Sequence, residues 1–440
     1  MNGIASAPRP SGSPVVRPAA RHIVLATTGS LGDLHPFLAL GAELKRRGHR
    51  VTLATSAVHR CHVHEAGLDF HHMRPDPEDT PAFHARYMHP KTGGEFVYRH
   101  YLGPAIRTSY DDLARAARDA DLLVSQSLMA LAAPLVAAST GIRWVSAVLQ
   151  PMSFFSLHER PNYLPLPFLS WLCGRSPELH GRVFHYVRKH TEEWVRPVLD
   201  LRQELGIARP DHPMYEGQHS PSRVLAMFSP LLGKPQPDWP QPAVQTGTAL
   251  YRQEQAMAPE LQRFLRESSR PLVVFTLSSA ASNDAGDFYQ TSLRTAESLG
   301  ARALLVMGGL AAGSALPDPL PSWAMRVDYA AFEQVFPHAA VIVHSGGVAT
   351  SFKALQAGKP QIVVPHAHDQ LDNAMRLAKL GVAEVIPGRR TGAGRLRNAL
   401  RRALTDTHRR ERAAAAARET HREDGVARAC DEIEEQLGHA

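Results

Sequence analysis

Cysteine is scarce in this chain: three in 440 residues, Cys61, Cys173 and Cys430, odd in number and far apart. That excludes a disulfide framework and a zinc spacing, and it fits a reducing cytoplasm. No run of about 18 apolar residues occurs, so no membrane-spanning helix is expected. The first twenty residues hold Pro, Ser and Arg but no apolar stretch, so they are expected to be a disordered tail rather than a secretion signal. The formal net charge of +7 is spread along the chain without aromatic–basic interleaving, a zinc finger or a helix-turn-helix pattern. Nucleic acid is therefore not expected as a partner, and the basic surface suits an anionic small substrate. The dinucleotide fingerprint G-x-G-x-x-G is missing from the first strand–loop–helix, where only Gly29 and Gly32 stand and Asp33 would meet a phosphate. A carboxylate there argues for a base and against a phosphate site.

What is present is alternation of strand and helix in both halves. The length suggests two domains. Strands are expected at 22–28, 51–55, 68–72, 121–125, 144–148 and 224–228, the last of the first half, with helices between them. Helices are expected at 37–47, 57–66, 128–139 and 184–205, the last with a kink or junction at Pro197. Residues 73–110 read as loops and short helices. Residues 151–171, rich in Phe, Tyr, Leu and Pro, read equally as an acceptor pocket, a lid or an irregular cover of the core. K-P-Q-P-D-W-P-Q-P, Lys234 to Pro242, cannot lie inside a sheet and reads as a linker, 234–245. The second half repeats the alternation, with strands at 272–277, 302–307, 325–328, 341–343, 361–364 and 383–386. The tail from 394 is helical by composition. The fold class is α/β with two Rossmann-like domains, 21–233 and 246–410, whose parallel sheets face each other.

The stretch from Val341 to Asn373 reads strand, glycine turn, helix, strand, polar cluster. Gly346 and Gly347 let main-chain amides approach an anion, and the following helix points its positive end there. His344, Thr350 and Ser351 add donors for a leaving diphosphate. A turn needed only for tight packing explains the glycines equally well. Asp369 and Gln370, at the end of the next strand, form a group able to grip sugar hydroxyls; for Asp372 and Asn373 helix capping is the preferred reading. Near the start, Asp33 and His35 lie at or just before a helix start, and either could take a proton from a hydroxyl. An N-cap role for Asp33 is slightly favoured by its spacing alone. The histidines at 59, 62, 64, 71 and 72 lack the carboxylate companions of a zinc site and read as a polar surface.

G-S-L-G-D-L-H-P-F-L-A-L, P-Q-P-D-W-P, H-S-G-G-V-A-T-S and P-H-A-H-D-Q-L-D-N-A, in that order, resemble the bacterial family 1 glycosyltransferases. The resemblance is greatest to rhamnosyltransferase catalytic subunits and sterol or macrolide glycosyltransferases, and it covers about residues 21–386. It implies the GT-B fold, with a cleft between an acceptor domain and a nucleotide-sugar domain. It also implies inverting transfer without a metal or other cofactor. By position, Asp33 matches the general base. His344, Gly346, Gly347 and Thr350 match the diphosphate turn, with Ser351 beside it. Asp369 and Gln370 match the sugar-holding pair. Gly32, His35, Ser278 and Ser279 are secondary candidates. The terminal segment, 411–440, is expected to cross back to the first domain.

Four departures stand out. Ala349 replaces the third glycine of H-x-G-G-x-G-T, which would be strained if that position needs φ > 0. Ser278 and Ser279 stand where a glycine and a Ser or Thr are usual, Ala330 replaces a proline, and Phe352 replaces the ribose-binding glutamate of plant members. The expected partners are a UDP- or dTDP-sugar and an apolar hydroxylated acceptor. A lipid acceptor would add peripheral membrane contact, and a homodimer is a candidate assembly. The alternatives are a catalytically weak or silent nucleotide-sugar-binding auxiliary protein and a nucleotide-sugar epimerase of the same fold.

Overall fold

The computed structural model describes residues 20–160, 162, 167–208, 211–252, 256–266, 270–282, 285–308, 316–386 and 392–438. The expected N-terminal tail lies outside them except for its last residue. Among the described residues are two parallel sheets. The first runs β3 (Asp69–His72), β2 (Arg50–Thr55), β1 (His22–Ala26), β4 (Leu122–Gln126), β5 (Arg143–Val148), β6 (Arg223–Ala226) and β7 (Ala243–Gln245). The second runs β10 (Ala324–Val327), β9 (Arg302–Val306), β8 (Leu272–Thr276), β11 (Val341–His344), β12 (Gln361–Val363) and β13 (Ala383–Val385). Successive side chains of each central strand go to opposite cores. In β1, Val24 and Ala26 join one cluster while Ile23 and Leu25 join another. In β8, Val273 and Phe275 are separated in the same way from Leu272 and Val274. Apolar runs with both faces covered are what a parallel sheet requires.

Each sheet reverses its strand order once, between β1 and β4 and between β8 and β11. At such reversals the loops leave the sheet in opposite directions and open a crevice at the carboxyl ends of the strands. Every candidate residue ends or follows a strand of these two pairs or the neighbouring β12.

Several boundaries differ from expectation for local reasons. The first helix, α1 (Leu31–Arg46), starts six residues early. Ser30 caps it, and Pro36 is carried inside it at the loss of one main-chain bond. Helix α2 (Ile106–Ala117) begins within the stretch read as loops and short helices and runs past its end. Its buried residues 106, 109, 113, 116 and 117 have helical spacing. The helix expected at 128–139 begins only at Ala133, because Leu128 has φ +69°. The expected long helix at 184–205 is two, Pro177–Thr191 and Arg196–Glu204, and Pro197 sits in the first turn of the second, where its missing N–H costs nothing. The last strand of the first sheet is β7, not the one at 224–228: the proline stretch ends in an edge strand beginning just after Pro242.

The C-terminal helical region is three helices, 393–405, 407–420 and Gly425–Gly438. The last lies against α1. Its Ala429, Cys430 and Ile433 join the cluster of Ile23, Leu25 and Leu44, and Asp431 and Glu434 each bond Arg47 at 2.6 Å. No helix among the described residues is long and apolar enough to cross a membrane.

Candidate active site

The turn after β1 is built to hold one carboxylate. Ser30, in extended conformation, is the N-cap of α1, and Asp33 is the third residue of the helix. Asp33 is thus not the N-cap that its spacing favoured; it is the acidic partner in a capping box. Its Oδ2 accepts from the Ser30 amide at 2.8 Å and the Ser30 hydroxyl at 3.0 Å. Its Oδ1 accepts from Gln126 Nε2 at 2.7 Å. A carboxylate offers about four acceptor sites, so three donors fix Asp33 and leave room for one more. Gly29 makes the arrangement possible: it has φ +112°, and a Cβ there would lie 2.6 Å from Asp33 Oδ2. Gly32 is exposed, and its amide donates to Ser30 Oγ.

His35 does not share this place. Two residues along a helix it faces away, with its ring 5.6 Å from that of Tyr251. Burial first, then the Lys353 charge, lowers its pKa to about 4. His59 donates to the turn from Nε2, 2.9 Å from the Gly29 carbonyl oxygen. Among the described residues no three His, Cys, Asp or Glu side chains are grouped to hold a metal.

The second crevice holds the glycine turn. Gly346 has φ +94°, and a Cβ there would lie 2.8 Å from both the Gln370 carbonyl and Val363 Cγ1. Helix α3 (Val348–Gln356) follows, with Gly347 at its N-cap and no side-chain cap bond. The amides of Val348, Ala349 and Thr350 come before its first main-chain bond, from Ser351 to Gly347, so their donors point out of the helix end. Ala349 lies inside this helix with right-handed geometry, so the alanine adds no strain.

His344 is not at the mouth of the turn. It is fully buried; Nδ1 accepts from the Gly346 amide at 3.1 Å and Nε2 donates to Gln361 Oε1 at 2.8 Å. Burial, opposed by the Gln361 bond, lowers its pKa to about 4. The neutral imidazole supports the turn from below, and neither nitrogen is left for a diphosphate. Ser351 is also fully buried, its hydroxyl without a partner among the described residues. Thr350 is half-buried in the first turn of α3. Ser278 stands opposite: its amide donates to Ser345 Oγ at 2.9 Å, and its hydroxyl accepts from Gln370 Nε2 at 3.2 Å. Ser279 opens a short helix, 279–282, and its side chain lies outside the described residues.

After β12, Asp369 precedes helix α4 (Gln370–Lys379). Gln370 does not reach outward: its Oε1 accepts from the His366 amide at 2.8 Å, closing the loop on itself. Asp372 and Asn373 do not cap the helix. Asn373 ties Asp369 Oδ2 at 2.7 Å to the Gly346 carbonyl at 3.0 Å, so one amide joins the sugar loop to the glycine turn. Asp372 pairs with Arg376 at 2.6 Å, which also pairs with Glu159 at 2.6 Å. That network joins the two domains.

Across the cleft, Asp33 and Asp369 are electrostatic neighbours. Burial above all, with the Asp33 charge behind it, raises the Asp369 pKa to about 7 against the Asn373 bond. Tyr87 and Tyr98 lie near Asp33: burial first, then nearby groups including Asp33, raises both phenols. The structure therefore brings together Asp33, Asp369, the α3 amides and Ser278, and it withdraws His344, Ser351 and Gln370 into support. Sequence reasoning missed Gln126 and Tyr87, preferred a capping role for Asn373, and saw His366 and His368 only as flanking the sugar cluster, where either could support it. Gln126 ends a strand read as buried, D-L-L-V-S, beside β1; its position at the carboxyl edge was the available signal.

Comparison with known proteins agrees with this layout. Residues 23–100 match the glycosyltransferase family 28 N-terminal domain, and residues 311–434 match the erythromycin biosynthesis protein CIII-like C-terminal domain. The O-mycaminosyltylonolide 6-deoxyallosyltransferase of Streptomyces fradiae is 30% identical over 437 residues, covering 94% of this chain and 97% of that one. The vancomycin aglycone glucosyltransferase of Amycolatopsis orientalis is 28% identical over 412 residues, covering 92% and 95%. The solved structure of the spinosyn rhamnosyltransferase SpnG complexed with thymidine diphosphate has a TM-score of 0.68 at 18% identity, covering 94% of this chain and all of that one.

Proposed function

This chain belongs to the family 1 glycosyltransferases of GT-B fold, and from that premise we propose that it transfers a sugar from a dTDP- or UDP-sugar to a hydroxyl of an apolar small molecule or lipid, with inversion and without a metal. The observation that carries the reading is the pair of opposed carboxylates, Asp33 on one sheet edge and Asp369 on the other. The acceptor hydroxyl gives its proton to Asp33 as its oxygen attacks the anomeric carbon. The bond from that carbon to the diphosphate oxygen breaks on the far side, so a single displacement inverts the centre. The leaving charge falls toward the amides of Val348, Ala349 and Thr350, where the helix dipole also favours an anion. Asp369, held by Asn373, accepts from the sugar hydroxyls.

Half-buried Tyr98, Met129 and Phe155 give the acceptor side its apolar wall. Phe352 is buried among Leu355, Val363 and Leu377, so ribose is held by other groups. A thymidine diphosphate complex of a structural neighbour makes dTDP-sugars the first donors to try. The strain at Ala349 that would have favoured a silent auxiliary protein is absent, and nothing on the site favours an epimerase.

The test is Asp33→Asn with a panel of dTDP- and UDP-sugars. Transfer is expected to fall by about 10²–10⁴-fold, with nucleotide binding by calorimetry unchanged. Turnover within about threefold of the wild type would sink the base assignment. Loss of nucleotide binding would move Asp33 to the donor site. Retained configuration in the product would overturn single displacement, and loss of activity in chelator would overturn metal independence.

A further inference from the structure

We infer that His368 is a positioning residue: clasped by Tyr87 and Met88 of the other domain, it registers the sugar-holding Asp369 against Asp33. This inference rests on the reading of those two carboxylates given above.

His368 stands one residue before Asp369, in the loop from β12 to α4. Its backbone is left-handed, with φ +55°, a conformation uncommon for residues other than glycine, although His, Asn and Asp enter it more readily than most. It is supported from across the cleft. The His368 ring lies edge-on to that of Tyr87, with centroids 5.1 Å apart at 61°. Gly93 leaves space for this: a Cβ there would lie 2.5 Å from the Tyr87 carbonyl oxygen and 3.5 Å from His368 Cε1. The next residue, Met88, is 2% exposed and packs not in its own domain's core but with Phe275, Leu277, Ala281 and Ala367 of the second.

Residues 87 and 88, at the end of the helix Pro81–Tyr87, therefore form a hook from the acceptor domain into the donor domain. The hook lies near both carboxylates, since the charges of Asp33 and Asp369 both reach Tyr87. Transfer needs the acceptor oxygen and the anomeric carbon in a near-attack geometry, and a misplacement of about 1 Å costs on the order of 10²-fold. A ring clasped between the domains beside Asp369 is placed to set that distance. The nucleotide, held at the α3 amides, does not depend on it.

The variants are His368→Gly, His368→Ala and Tyr87→Ala, with Tyr87→Phe as a control that keeps the ring. Glycine restores left-handed freedom without the ring, so it separates the clasp from the backbone. Expected are a fall in kcat of about 10- to 100-fold for His368→Gly, His368→Ala and Tyr87→Ala. Tyr87→Phe should stay near the wild type, and Kd for dTDP or UDP should stay within about twofold throughout. Full turnover in His368→Gly would overturn the proposal in favour of a backbone role alone. So would a loss of nucleotide affinity in proportion to kcat, which marks collapse of the donor loop. Small-angle scattering of the full chain gives a readout without turnover: His368→Gly with Tyr87→Ala should increase the radius of gyration, and an unchanged profile overturns the clasp. If the wild type transfers no sugar at all, the functional reading fails while the scattering result still decides the clasp.

Discussion

Asp33 is held by donors from two places in the chain, Ser30 three residues before it and Gln126 ninety-three residues after it. The first is local chemistry and can be read from S-x-x-D before a helix. The second exists because β1 and β4 pair in parallel, with Ala26 opposite Ser125, which brings the ends of both strands to one edge. Gln126 is 3% exposed and is itself anchored through Oε1 by the Thr27 hydroxyl, so its amide can present only the donor to Asp33. Replacing it by Leu removes a donor from a charged acceptor. We expect Gln126→Leu to lower kcat by about tenfold or more, consistent with a charge-assisted bond, with nucleotide affinity unchanged. Wild-type turnover would show that Ser30 alone suffices.

The glycine turn and its helix were legible in the sequence, but which residue does what was not. The family resemblance places Gly346 and Ala349 in one motif; only the backbone shows that one has positive φ and the other is helical. They should respond in opposite ways. Gly346→Ala meets the Gln370 carbonyl and should abolish measurable nucleotide binding. Ala349→Gly puts a poor helix former into α3, costing about 1 kcal/mol in thermal unfolding, with no gain in nucleotide affinity. A tenfold tighter nucleotide complex in Ala349→Gly would show that the motif's third glycine has a role beyond helix geometry. His344 was misplaced for a related reason. A polar residue ending an apolar strand reads as an outward donor, yet here both nitrogens are consumed inside, one by Gln361 of the neighbouring strand.

At the scale of the molecule, Arg376 carries an unusual share of the contact between domains. It bonds Asp372 of its own helix, Glu159 of the first domain and the Leu232 carbonyl. Asp372 is 2% exposed, so removing its cation leaves a buried charge unpaired. Arg376→Met should lower stability by about 3–5 kcal/mol in urea unfolding, and a loss below about 1 kcal/mol would show that solvent reaches Asp372.

The buried histidines give a pH signature. His35, His212, His219 and His344 all have pKa values lowered to about 4, in each case by burial above all. In the unfolded chain they take protons from about pH 6.5 downward. Their contribution to stability is complete above that value and is lost as pH falls toward 4. Asp369 acts in the opposite sense: its pKa is raised to about 7, so it favours the fold at low pH and loses that contribution as pH rises from about 4 to 7. Four groups outweigh one, and Tm should fall between pH 6.5 and 4. A Tm maximum below pH 5 would contradict this.

The sequence by itself determined the strand–helix alternation, the α/β class and the positions of the two glycine-containing turns, because each follows from residues within a few positions of one another; the roles proposed for Asp33 and Asp369 came from the resemblance of whole motifs. The tertiary structure alone decided which polar side chains face the cleft. His344, Ser351 and Gln370 turn inward, while Gln126 and the Tyr87–Met88 hook come to the site from elsewhere in the chain. Their roles depend on parallel pairing and on contact between two domains, and neither leaves a local pattern in the order of residues.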